Sequence, residues 1–258
     1  MGLQETFGRN PPRAVGGKLS VIPVESLTNG TFRNTFGMTP EALYDMVGKG
    51  LPHPEISVSL ESSGNATLEI TCRAQGKTIF KAEDCALQRN AGILSIARDR
   101  DTEVRATEKG QGLGKIFLSN MLTLAEELHL KRVDMRAGRE NGAWYWSYRG
   151  AQLDTDVNSV VYERFERAVR QNMEKLPEAL QQQAEAILAT PGPDANVRLA
   201  RLGREEGADL LNGTNPMVVF HVQDKTQMQN VRAALGNMDA AYERVRQRDI
   251  ITPAAPKV

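Results

Sequence analysis

Residues 102–130, TEVRATEKGQGLGKIFLSNMLTLAEELHL, decide the fold, because a predicted strand there passes through three glycines directly into a predicted helix. The strand ends near Val104, and the helix pattern runs from Lys115 to about Leu130. The glycines of this bend are Gly110, Gly112 and Gly114. Since glycine has no Cβ, an anion can approach the backbone closely, and the amides and dipole of a first helical turn favour phosphate. The alternative is a turn whose glycines only make room for tight packing.

The segments before this bend alternate between apolar and polar residues with a period of two, which is typical of half-buried strands. Over residues 55–104 they read EISVSLES, NATLEITCRA, KTIFKAEDCAL and GILSIARDRDTEV, separated by the turn-rich SSGN, AQG and RNAG. After the helix, KRVDMRAG alternates in the same way. The pattern predicts an α+β fold in which helices flank a mixed, mostly antiparallel central sheet.

The chain divides further by composition and periodicity. Residues 1–37 are rich in Gly, Pro, Asn and Thr without periodicity and predict a flexible leader, followed by the core at 38–154. A helical pattern predicts an added helical segment at 155–215. Residues 216–248 predict a final strand, MVVFHVQD, with a C-terminal helix, and 249–258 predict a disordered tail.

The predicted C-terminal helix begins at Asp224, with Gln227 in the reciprocal position of a capping box. Its apolar residues recur every three or four positions and form a narrow seam. The seam consists of Met228, Val231, Leu235, Met238, Tyr242 and Val245. It either packs on its own domain or joins two copies in a homodimer.

Charge and hydropathy exclude several classes of protein. The 258 residues contain 32 Lys plus Arg against 32 Asp plus Glu, so we expect no nucleic-acid binding by phosphate neutralisation. No segment approaches the roughly 18 apolar residues of a membrane span, and we predict a cytoplasmic protein. The N-terminal MGLQET fits the loose myristoylation pattern at Gly2, a pattern that also arises by chance, and membrane contact is expected only if Gly2 is lipidated.

Metal and serine chemistry are not predicted. The three histidines are isolated, and neither HExxH nor GxSxG occurs in the sequence. Cys72 and Cys85 are too few for a disulfide scaffold and are predicted to be reduced and partly buried.

Two common phosphate-binding patterns do not fit the bend, because Gly114-Lys115 is followed by Ile116 rather than Ser or Thr and the glycines run GxGxG instead of GxGxxG. The segment 109–114, KGQGLG, resembles instead the coenzyme A pyrophosphate loop of the GNAT acetyltransferase superfamily, R/Q-x-x-G-x-G/A. Lys109 replaces the usual Arg or Gln, which keeps the charge and loses the side-chain fork.

The resemblance covers about residues 55–154, with MVVFHVQD as a displaced final strand after a helical insertion. In the family, the helix is followed by a strand and by a short helix that ends in Gly-Phe; here KRVDMRAG precedes ENGAWYWSYRGAQLD. The aromatic helix, with Trp146 four residues before Gly150, is similar to those of GNAT-like domains in phage-associated and polymorphic toxin proteins. Ala151 stands where Phe is usual.

The resemblance implies acetyl-CoA, or another acyl-CoA, as the cofactor and no metal. The implied coenzyme-binding residues are Val104, Lys109, Gly110, Gln111, Gly112, Leu113, Gly114, Lys115 and Asn141. Asn141 alternatively caps the helix that follows it.

The resemblance also implies a carboxylate base on the strand before the loop and a Tyr as general acid. Asp101 and Glu103, with Asp99, alternate and project to one face of the strand, or form a solvated edge with neighbouring arginines. Trp146 occupies the usual Tyr position and cannot donate the proton, so Tyr145 and Tyr148 are the candidates. The aromatic cluster alternatively serves only in packing.

These features predict an acyl-CoA-dependent N-acyltransferase, most simply an acetyltransferase, that acts on a protein or a small amine. The leader, Gly2 and the aromatic motif suggest a bacterial effector or toxin delivered into a host or competitor cell. The alternative is a catalytically inactive GNAT-fold binding module that recruits a partner protein through the helical segment. Lys109, Trp146 and Ala151 favour this alternative.

Overall fold

A computed structural model describes residues 18–23, 29–61, 63–74, 76–96, 104–106, 112–137, 142–154, 159–190, 192–214, 216–238 and 240–241. The strands are β1 (Lys18–Pro23), β2 (Pro54–Leu60), β3 (Ala66–Ala74), β4 (Lys77–Gln88), β5 (Ile93–Ile96), β6 (Val104–Ala106), β7 (Arg132–Arg136), β8 (Gln152–Leu153) and β9 (Met217–His221). The helices are α1 (Asn29–Phe36), α2 (Pro40–Val47), α3 (Leu113–Glu127), α4 (Gly142–Tyr148), α5 (Ser159–Met173), α6 (Glu178–Leu188), α7 (Ala195–Ala200), α8 (Arg204–Leu211) and α9 (Lys225–Leu235).

All nine strands belong to one sheet in the order β1-β2-β3-β4-β5-β7-β9-β8, with β6 also paired to β4. The pairs β1·β2 and β5·β7 are parallel, and the remaining described pairs are antiparallel. The predicted α+β class and mostly antiparallel central sheet are therefore confirmed.

The hairpins β2–β3–β4 follow the period-two pattern that predicted them. Ile56 pairs with Ile70, and both side chains are buried together with their alternate neighbours along each strand. The register shifts within the β3·β4 pair, and Asp84 in β4 has φ +52°, a left-handed conformation that Asp adopts more readily than most residues. One face of these strands therefore forms the core, and the other carries Ser, Thr and charged residues.

The predicted strand GILSIARDRDTEV is two strands in the structure. β5 pairs with β4 through Ser95 and Ala86, and β6 pairs with β4 further along through Val104 and Ala82. Because both are antiparallel to β4, β5 and β6 run in the same direction along it. Residues 97–103 between them lie outside the described part.

The prediction that residues 1–37 form a leader with little core is wrong for β1 and α1. β1 pairs in parallel with β2, and Phe32 and Phe36 of α1 are buried, with ring centroids 4.8 Å apart. Two aromatic residues four positions apart share one face of a helix, but a single pair is too short a signal among Gly, Asn and Thr. Residues 1–17 and the predicted tail 249–258 lie outside the described part.

Helices α5 to α8 connect β8 to β9. Pro177 precedes the first residue of α6 and begins a new helix rather than kinking α5. The pattern NVRLARLGREEGADLL is divided at Gly203 into α7 and α8. The two helices approach closely at Gly207, where a Cβ would lie 2.5 Å from the Ala200 carbonyl oxygen.

The start of α9 confirms half of the predicted capping box. The Asp224 carboxylate accepts a hydrogen bond from the Gln227 amide at 3.0 Å. The Gln227 side chain does not reciprocate: its Oε1 accepts from the His221 amide at 2.7 Å, and its Nε2 donates to the Gly150 carbonyl at 2.9 Å. Within the described part of the seam, Met228, Val231 and Leu235 are buried in the core of the same chain.

The helices of the described ranges are all too short or too polar to cross a membrane. Cys72 and Cys85 are fully buried thiols, whereas the sequence predicted partial burial.

Candidate functional site

The bend before α3 holds its glycine in a conformation that other residues rarely adopt. Gly112 has φ +79° and is the N-cap residue of α3. Because glycine has no side chain, it makes no side-chain hydrogen bond to the first turn of the helix. The Ile116 amide donates to the Gly112 carbonyl at 2.9 Å, which is the first bond of the helical ladder. The amides of Leu113 and Gly114 therefore precede the ladder and lie at the positive end of the helix dipole.

Packing does not explain the glycines of this turn. A Cβ added at Gly112 or at Gly114 would meet no other described atom within 4 Å. Glycine inside a helix costs about 0.5–1 kcal/mol relative to alanine, so Gly114 weakens the helix without relieving a steric contact with the described residues. For Gly112 and Gly114, the described residues therefore give no support to the interpretation in which the glycines only make room for tight packing, while Gly110 lies outside the described part.

The other predicted coenzyme-binding residues have different positions. Leu113 is buried in the core, so that only its backbone is available to a ligand. The Lys115 ammonium lies 3.9 Å from the position that a Cβ would take at Gly236, which places it at the C-terminal end of α9. Val104 begins β6. The predicted residues Lys109, Gly110, Gln111 and Asn141 lie outside the described part.

The predicted carboxylate bases Asp101 and Glu103, with Asp99, also lie outside the described part. Both predicted acids are on α4 and differ in environment. Tyr148 is 44% exposed, and its ring lies 5.4 Å from that of Trp144. Tyr145 is covered by Arg149, whose guanidinium carbon lies 3.5 Å from the ring centroid.

Tyr145 keeps its proton at neutral pH, because its pKa is raised. Burial raises the pKa of Tyr145 above its ordinary value of 10.0, and the positive charge of Arg149 opposes that shift. Burial in turn lowers the pKa of Arg149. Trp146, in contrast, is buried, and its ring meets that of Tyr145 edge-on at 4.6 Å, so this residue packs the core.

The structure brings together a charged group that the sequence did not single out. Arg132 Nε lies 3.1 Å from Asp134 Oδ1, and Arg132 Nη1 lies 3.4 Å from Asp154 Oδ1. Both carboxylate residues are buried, at 8% and 7% exposure. Ser95, also buried, pairs with Asp134 across the parallel strands. The alternation in KRVDMRAG predicted a half-buried strand, which β7 confirms, but it did not indicate that these charges are largely buried.

Strand direction defines one edge of the sheet next to the described part of the glycine bend. Because β5 and β7 are parallel, their carboxyl ends share an edge, which we call the carboxyl edge. Beyond it, the chain leads from β6 through the glycine bend into α3, and from β7 into the aromatic helix α4. Ligands of open sheets commonly bind at such an edge where a crossover helix begins.

Among the described residues, His, Cys, Asp and Glu side chains do not gather in a group of three or more that could hold a metal ion.

Comparison of the chain with protein-family models, with curated proteins and with solved structures finds no match.

Proposed function

We propose that this chain is an acyl-CoA-dependent N-acyltransferase with a GNAT-like fold, most simply an acetyltransferase, that acts on a protein or a small amine. The observation that carries the proposal is the turn at Gly112 and Gly114. It combines a left-handed glycine, a helical glycine whose added Cβ would meet no other described atom within 4 Å, and helix amides that precede the hydrogen-bond ladder. Such a turn suits a diphosphate.

The order of elements supports the same function. Strand β6, the glycine bend, α3, β7 and the aromatic helix α4 follow one another as the resemblance to the superfamily implies. The helix α4 ends before Gly150, which has φ +94°. After the helical segment, β9 returns to the sheet and pairs with β7, in agreement with a displaced final strand.

In the proposed reaction, the acceptor nitrogen forms a bond to the thioester carbonyl carbon and the carbon–sulfur bond breaks. The nitrogen loses a proton to a base, for which Asp101 and Glu103 remain the candidates, and the leaving thiolate takes a proton. Tyr148, which is 44% exposed, is the candidate for that second step, while Arg149 lies over the ring of Tyr145.

The inactive binding module is the second candidate, and the burial of Trp146 favours it, because the usual acid position then serves packing. Its partner surface would be the helical segment. That segment is firmly joined to α4, since Trp144 Nε1 donates to the Ala200 carbonyl at 3.2 Å.

Thermal unfolding with and without acetyl-CoA separates the two candidates. A ligand at 100 times its dissociation constant adds about 2.7 kcal/mol to the free energy of unfolding. We expect this stabilisation in the wild-type protein and its loss in Gly112→Asp, which adds bulk and negative charge beside the diphosphate. Pantetheine, which lacks the diphosphate, is the matched control ligand. Equal unfolding with and without acetyl-CoA would favour the binding module.

A further inference from the structure

Arg136, at the carboxyl edge, has a charge that no described residue balances. It is the last residue of β7 and is half-buried. Its Nε is buried without a hydrogen-bond partner, and none of the carboxylates in the described ranges forms an ion pair with it. A buried N–H that donates to nothing destabilises the folded chain, so the position calls for an acceptor that the described residues do not supply.

Two nearby arginines show how the same protein holds a guanidinium group elsewhere, although the Nε of Arg149 is also buried without a hydrogen-bond partner. Arg132, four residues earlier on the same strand, is held by the carboxylates of Asp134 and Asp154. Arg149 lies over the Tyr145 ring and donates to the Tyr145 carbonyl oxygen at 2.9 Å. Neither kind of contact is found for Arg136 within the described ranges.

The strand geometry places Arg136 on the same face of β7 as Arg132 and Asp134. Side chains two residues apart on a strand project from the same face, so Asp134 lies between Arg132 and Arg136 on that face. Its carboxylate is bound by Arg132. Arg136 therefore extends the polar row to the end of β7, where its Nε has no hydrogen-bond partner.

We propose that Arg136 binds an oxyanion, a carboxylate or a phosphate, that belongs to the molecule which accepts the acyl group. A guanidinium presents a planar fork of donors that matches such oxyanions. On the proposed function the coenzyme diphosphate occupies the turn at Gly112, where α3 begins, which leaves Arg136 to the acceptor. The identity of the ligand as an acyl acceptor rests on the proposed function, whereas the oxyanion site does not.

The oxyanion site is tested on the whole protein by nuclear magnetic resonance of the arginine Nε–Hε groups, with inorganic phosphate and succinate as the probes. The resonance that is lost in Arg136→Lys is assigned to Arg136, and the one lost in Arg132→Lys to Arg132. We expect the Arg136 resonance to shift saturably with at least one of the two anions and the Arg132 resonance to stay in place. An Arg136 resonance that responds to neither anion, or no more than that of Arg132, would overturn the proposal.

Calorimetry of acetyl-CoA binding then identifies the source of the oxyanion. If the oxyanion belongs to the acyl acceptor, we expect Arg136→Gln to leave the dissociation constant of acetyl-CoA unchanged. A loss of about tenfold, as expected for one charged hydrogen bond, would assign the oxyanion to the coenzyme and overturn the acceptor assignment. If the wild-type protein binds no acetyl-CoA at all, the proposed function and the acceptor assignment fail together, while the anion titration still decides whether Arg136 is an oxyanion site.

Discussion

Asn196 Nδ2 donates a hydrogen bond to Ser147 Oγ at 2.8 Å, and both residues are fully buried. The same Nδ2 donates to the Ala151 carbonyl oxygen at 2.8 Å. Asn196 belongs to α7, while Ser147 belongs to α4, so one amide group joins the added helical segment to the aromatic helix. The segment is therefore part of the core structure and holds α4 in position beside the carboxyl edge.

Replacement of Asn196 by Ala should lower the free energy of unfolding by about 2–3 kcal/mol, because it leaves a buried hydroxyl and a buried carbonyl without their donor. Ser147→Ala removes only one of these contacts and should cost about 1 kcal/mol. Urea unfolding of both variants and of the double variant measures the coupling. Fully additive costs would show that the two side chains do not interact.

Gly114→Ala should change stability and coenzyme binding in opposite directions. Since no described atom lies within 4 Å of the added Cβ, the helix gains up to about 0.5–1 kcal/mol. The same methyl group occupies the space above the first turn and should weaken acetyl-CoA binding. Urea unfolding measures the first effect and calorimetry the second.

Gly112→Ala is the matched control for this pair of effects. Its backbone has φ +79°, so any Cβ there costs about 1–2 kcal/mol even where space is open. We expect Gly112→Ala to lose both stability and binding. Unchanged acetyl-CoA affinity in a folded Gly114→Ala protein would remove this turn from the coenzyme site.

Cys85 should make the protein less stable at alkaline pH. Burial, with smaller contributions from Asp84 and Glu69, raises the pKa of the thiol from 9.0 to about 12. Below pH 9.0 the thiol is protonated in both the folded and the unfolded chain, so the stabilisation is complete there. Between 9.0 and about 12 only the unfolded chain ionises, and the free energy of unfolding should fall by about 1.4 kcal/mol per pH unit.

Unfolding of wild-type protein and of Cys85→Ala over this pH range tests the assignment. The variant is expected to be less stable at neutral pH, because it loses a buried sulfur atom, and to have a shallower alkaline decline. Tyr145 and Tyr162, whose pKa values are also raised by burial, add to the decline of both proteins above their ordinary value of 10.0. Parallel pH profiles from 9.0 upward would contradict the role of Cys85.

The sequence predicted those parts of the fold whose pattern is local. The period-two segments predicted the hairpins of β2 to β4, and the glycine bend predicted the start of α3. β1 was missed because its pairing with β2 is parallel and spans the thirty residues 24–53, which include a helix with only two core aromatics. No local pattern specifies such a contact.

The candidate site was predictable only where backbone conformation determines residue type. The left-handed Gly112 follows from its position before a helix, so the glycines identified the turn. Arg132 and Arg136 look equivalent in KRVDMRAG, and the difference between them arises from Asp154, which another part of the chain brings to Arg132. A pattern of alternating charges does not reveal which of them are neutralised by distant residues.

Gln227→Glu should destabilise the protein in a manner that depends on pH. Gln227 is buried, and its Nε2 donates to the carbonyl oxygens of Gly150 and Val219 at 2.9 and 3.3 Å. A carboxylate in its place can donate to neither oxygen and is itself buried, so we expect a loss of about 2–4 kcal/mol at neutral pH. Burial raises the pKa of the introduced carboxyl group, so the unfolded chain ionises at lower pH than the folded chain. The penalty should therefore shrink as the pH falls and the group can donate one hydrogen bond again.

Gln227→Met, of similar length and without a charge, is the control, and its penalty should not vary with pH. Urea unfolding of the three proteins at neutral and mildly acidic pH measures these penalties, and equal penalties for the two variants at both values would show that the introduced charge adds nothing to the loss of the donor.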